Sequence, residues 1–88
     1  MTQYDIILDA MLSNPQKVWW YAKDFLAGKY FVGYEATARM SELVNMYPTI
    51  FFVNKDGRFR ILAIDWESKD IDFHKKRLND LKQIEKEG

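Results

Sequence analysis

The stretch from Thr49 to Asp65 constrains the fold most strongly. Thr49 to Val53 is rich in β-branched and aromatic residues, Asn54-Lys55-Asp56-Gly57 supplies a connection, and Arg58 to Asp65 returns as a second run. Gly57 suits a left-handed bulge position, so the pattern predicts a two-stranded antiparallel hairpin. Side chains alternate along a strand, which sets Arg58 and Arg60 on one face and Phe59 and Ile61 on the other. The flanking sequence has helical spacing. The chain is therefore expected to be α+β.

Upstream, Tyr4, Ile7, Leu8, Met11 and Leu12 recur at helical intervals while Asp5 and Asp9 take the wet side, predicting a first helix. Asn14 and Pro15 stop it and restart the chain. Two readings stand for Gln16 to Gly28. Either Val18-Trp19-Trp20-Tyr21 opens a helix directly, or it forms a short extended piece before a helix over 21–27 that buries Ala22, Phe25 and Leu26. Gly28 ends that helix, and Lys29 to Gly33 is a turn. A third helix is predicted from Tyr34 to Met46, stopped by Pro48. Ala36, Met40, Leu43, Val44 and Tyr47 cluster on its inner side. Ala38, Ser41, Glu42 and Asn45 lie opposite, with Glu35 nearby. Downstream, Ile71, His74, Leu78 and Leu81 form the apolar stripe of a last helix, which Ile84 extends. Of each adjacent pair Trp19/Trp20 and Phe51/Phe52, one member is expected to face water.

Eighty-eight residues provide for one domain, and 48% hydrophobic with 16% aromatic residues gives it material for a dense core. Residues 1–66 are expected to form that domain. Residues 67–88 form an amphipathic helix that packs on it or pairs with its copy in a homodimer. The chain has no cysteine, which excludes disulfides, thiolate metal sites and cysteine nucleophiles. His74 is the lone histidine, and no glycine-rich phosphate loop is present, so no catalytic site, metal or cofactor is expected. No apolar run approaches the roughly 18 residues of a membrane span, and Met1 to Leu12 lacks the basic residues of a secretory leader; a cytoplasmic protein is expected. Formal net charge is zero, and residues 1–66 hold seven groups of each sign. Nucleic-acid binding rests on positive charge, so any such surface has to be a local patch.

Helix, helix, turn, helix and hairpin follow the order of a winged helix. Phe31-Val-Gly-Tyr-Glu-Ala-Thr-Ala-Arg-Met-Ser-Glu-Leu43, with Tyr47-Pro48 and Asp56-Gly57-Arg58 after it, resembles the small winged helix-turn-helix proteins of bacteriophages and prophages. In those, a helix of the form Ala-x-Arg-Ile/Leu-Ser-Glu-Leu runs into a short glycine-turned hairpin, and Tyr21 to Phe25 is similar to the segment before their turn. The resemblance covers about Trp19 to Ile61. It implies a three-helix helix-turn-helix unit, a hairpin wing and binding of double-stranded DNA, with the last helix as an addition. Thr37, Arg39, Ser41 and Asn45 would then meet the major groove, where Asn45 suits adenine and Arg39 suits guanine. Lys55, Arg58 and Arg60 would rest on phosphate. Other readings stand beside these. Arg39 also suits a structural bridge to Asp24, and the basic hairpin also suits protection of a sheet edge. Glu35 and Glu42 repel phosphate and fit a protein-interaction module that does not bind DNA.

Overall fold

The structure is a computed structural model that describes the backbone of residues 1–56 and 59–87, and the side chains of residues 1–54 and 61–86. Helix α1 spans Gln3–Ser13. The Thr2 hydroxyl accepts the Asp5 N–H and the Asp5 carboxylate accepts the Thr2 N–H, a reciprocal cap that satisfies two donors at the helix start. Asn14 closes the other end by donating its side-chain amide to the Ala10 carbonyl at 2.8 Å. After Trp20 comes a single 3₁₀ turn, Ala22–Phe25, and then α2 over Ala36–Met46. Strands β1 (Phe51–Asp56) and β2 (Phe59–Ile64) pair antiparallel, and α3 covers Ile71–Glu87. The molecule is α+β, with three α-helices and one two-stranded sheet among the described residues.

The helix expected over 21–27 is replaced by the 3₁₀ turn, and the extended reading of the residues before it holds at Trp20. The Trp20 N–H donates to the Leu62 carbonyl at 2.7 Å and the Leu62 N–H returns to the Trp20 carbonyl at 3.0 Å. A residue exchanging both bonds with a strand is itself extended, so helix cannot begin before it. The Asp24 carboxylate then accepts the Tyr21 N–H, and the Phe25 carbonyl accepts from both Val32 and Gly33, which folds the chain back after one turn. Leu26, expected in the buried stripe, is exposed. Helix α2 starts at Ala36 and not at Tyr34, because Tyr34 and Glu35 form a turn whose closing bond runs from the Ala36 N–H to the Gly33 carbonyl. Gly33 has φ +94°, a left-handed conformation that favours glycine.

The hairpin register runs from Phe51 opposite Ile64 to Asp56 opposite Phe59. Pairing therefore continues through Asn54, Lys55 and Asp56, which the sequence assigns to the connection; Gly57 and Arg58 lie outside the described residues. Phe51 is buried and Phe52 exposed, and Trp20 is buried while Trp19 is partly exposed. The core centres on Ile7, Leu8, Met11, Phe25, Met40, Leu43, Ile50 and Leu62, each fully buried. Helix α3 adds Ile71, His74 and Leu78 to it; Leu81 is half-buried and Ile84 is exposed, so the stripe ends one turn early. Among the described residues, no helix is long and apolar enough to cross a membrane.

His74 is 3% exposed, lies edge-on to the rings of Tyr47 and Phe73 at 4.5 and 5.2 Å, and gives its Nδ1 no hydrogen-bond partner among the described residues. Burial, with the Arg77 charge behind it, holds the imidazole below its ordinary value against the opposing pull of Asp70. A histidine whose folded pKa is depressed binds protons more readily when unfolded. Its contribution to stability is full above the unfolded value of 6.5 and is lost as pH falls through the folded one. Urea melts are expected to show stability declining below about pH 6.5, and His74→Leu is expected to flatten that decline.

Candidate nucleic-acid interface

Helix α2 presents three distinct sides. Ala36, Met40 and Leu43 enter the core, while Ala38, Asn45 and Met46 are exposed. Thr37 and Ser41 are half-buried, and Thr37 lines a groove together with Ile61 of β2. Ser41, expected on the open face, is half-buried. At about 100° per residue, Thr37, Ser41 and Asn45 share one side of the helix.

Arg39 occupies the other flank and faces α1. Its Nε donates to the Gln3 side-chain carbonyl at 3.0 Å and its Nη1 to the Tyr4 hydroxyl at 3.0 Å and the Glu42 carboxylate at 2.7 Å. Its Nη2 reaches Glu35 at 3.4 Å, and Tyr4 in turn donates to Glu42. The Tyr4 hydroxyl, together with Arg39, holds the Glu42 carboxyl below the usual carboxylate range. The Tyr4 and Glu42 contacts raise Arg39 further above its already high value. This cluster locks α2 onto α1. The bridge from Arg39 to Asp24 does not form: Asp24 accepts from the Tyr21 N–H at 2.8 Å and sits 3.5 Å from the Lys17 ammonium. The structure therefore brings Thr37, Ser41 and Asn45 together and sets Arg39 apart from them.

On the hairpin, Lys55 stands opposite Arg60 in the backbone register, one rung from the connection. Their side chains, and all of Arg58, lie outside the described residues.

Charge is distributed less evenly than the overall balance implies. Asp5 pairs with Arg77 at 2.8 Å and Asp9 with Lys82 at 2.6 Å, so the acids of α1 are answered by α3. Burial alone would raise the Asp5 carboxyl, but hydrogen bonds from Arg77 and Thr2 and the Arg77 charge overcome it and hold the group low. Residues 14–64, from the end of α1 to the end of β2, then carry seven basic and four acidic side chains, a net charge of +3. Two cations in this stretch were missed as site candidates. The Lys23 and Lys29 ammonium groups sit over the rings of Tyr21 and Tyr30 at 5.2 and 5.4 Å, and neither is within ion-pair distance of a carboxylate among the described residues. Their spacing around Gly28, just before α2, was the signal available in the sequence.

Among the described residues, no group of three or more metal-ligating side chains gathers. Comparison with protein-family models, with curated proteins and with solved structures finds no match to this chain.

Proposed function

We propose that this chain is a winged helix-turn-helix protein that binds double-stranded DNA, of the kind found in bacteriophages and prophages. Helix α2 enters the major groove and the hairpin rests on phosphate. The observation that carries the reading is the packing of α2 against β2 of the hairpin, with Thr37 and Ser41 half-buried and Asn45 exposed along one side of the helix. Thr37, Ser41 and Asn45 allow the helix backbone to approach base edges closely, and Asn45 is exposed to reach adenine. The net +3 of residues 14–64 supplies the electrostatic attraction that the zero net charge of the whole chain conceals. Arg39, engaged by Gln3, Tyr4 and Glu42, positions α2 and does not read a base. The 3₁₀ turn Ala22–Phe25 stands where the resemblance implies a second helix.

Fluorescence-anisotropy titration of labelled genomic duplex fragments at about 50 mM salt tests the proposal, with affinity expected to fall steeply as salt rises. Each phosphate contact contributes about −0.9 to the slope of log affinity against log salt, so Arg58→Ala with Arg60→Ala should flatten it by about 1.8. Absence of binding at low salt would refute the reading. A protein-interaction module is the second reading, favoured by Glu35 at the start of α2, by Glu42 on it, and by the exposed apolar side chains Leu26, Phe31 and Met46. No affinity for duplex, with a specific complex formed by a purified protein, would select it.

A further inference from the structure

Beside the Thr37 flank of α2 lies an open groove of about 440 Å³, and its walls come from the 3₁₀ turn, the residues before α2, and β2. We propose that this groove binds a small aromatic carboxylate, with the ring among Tyr21, Leu26, Tyr34 and Ile61 and the carboxylate on the Lys23 ammonium. The volume lies within the roughly 300–1,000 Å³ of small-molecule sites, which are mostly apolar with few polar groups to orient the ligand. Here the lining is mainly apolar and, among the described residues, Lys23 is its only charged member. Asp24, the nearest acid in sequence, is turned to the Tyr21 N–H and Lys17, and no carboxylate among the described residues pairs with Lys23. That selects an anion over a cation or a neutral body.

One further feature suits a flat ligand. Tyr34 is 99% exposed, so its ring has almost no contact with protein and gains apolar contact when a second ring covers it. The proposal does not rest on DNA binding, although Lys23 and Thr37 also belong to the candidate DNA-facing surface.

Amide chemical-shift titration of the full chain with 2-naphthoate and its neutral analogue 2-naphthamide tests it. Saturable shifts are expected at Tyr21, Leu26, Tyr34, Thr37 and Ile61, with naphthoate affinity on the order of 1 mM for a ligand of this size. Naphthamide should bind about threefold more weakly, as befits loss of one exposed ion pair, and Lys23→Met should erase that difference. Leu26→Glu, at an exposed position that leaves the core intact, should weaken naphthoate more than naphthamide. Equal affinity for the two compounds, or naphthoate shifts outside the groove, would overturn the proposal. So would a groove that responds only to duplex oligonucleotide.

Discussion

Phe25→Ala is expected to lower stability by about 3–5 kcal/mol, the range for truncating a buried phenylalanine. The side chain is fully buried and stacks on Trp20 with ring centroids 5.6 Å apart. Its own carbonyl receives the Val32 and Gly33 N–H groups. The segment between α1 and α2 has only one 3₁₀ turn of its own, so this ring holds in place what a longer helix would otherwise order. A domain of this size has stability near the lower end of about 5–15 kcal/mol, and the variant should lose most of it. Urea melts followed by tryptophan fluorescence measure the loss, and Phe25→Leu, which keeps most of the volume, should cost less than about 1.5 kcal/mol. An alanine variant within 1 kcal/mol of the parent, roughly the cost of a surface change, would contradict this packing.

Removing α3 is expected to abolish cooperative folding. A chain ending at Asp65 loses Ile71, His74 and Leu78, each nearly fully buried, and uncovers the α1 surface around Leu12. The two aliphatic side chains alone contribute about 1.5–3 kcal/mol each. Asp5 and Asp9, 8% exposed in the folded chain, also lose Arg77 and Lys82. Together these approach the whole stability of a small domain. Circular dichroism should show no sharp thermal transition in the truncated chain. Removing residues 84–88 should cost less than about 1 kcal/mol, because Ile84 is exposed and the ion pair of Glu85 with the Met1 ammonium is a surface one. A cooperative melt for the chain ending at Asp65 would show that α3 is an appendage.

What the sequence makes legible is local. The hairpin is readable because its strands and its glycine-bearing connection are adjacent, and α2 because a stripe of period 3.6 ends at Pro48. The missing second helix is not readable from Tyr21 to Ala27, whose composition suits a helix. Its absence goes with the Phe25 carbonyl accepting from Val32 and Gly33, which turns the chain back after one turn, while the bridge of Trp20 to Leu62 keeps the residue before it extended. The partners of Arg39 were hidden for the same reason, since Gln3 and Tyr4 reach it only once α1 and α2 have packed. The charge separation depends on Asp5 meeting Arg77 and Asp9 meeting Lys82, contacts that no spacing rule anticipates. Asn45 was legible as an exposed residue from helical geometry alone. Ser41, placed on the same open face by that geometry, is half-buried.

Amide chemical-shift mapping of the full chain against a duplex of bound genomic sequence tests most directly whether α2 and the hairpin form one DNA-docking surface. The expected result is a contiguous set of shifts over α2, centred on Thr37, Ser41 and Asn45, and over the hairpin end, with α3 silent. Shifts confined to α3, or none in α2 while the hairpin responds, would contradict it.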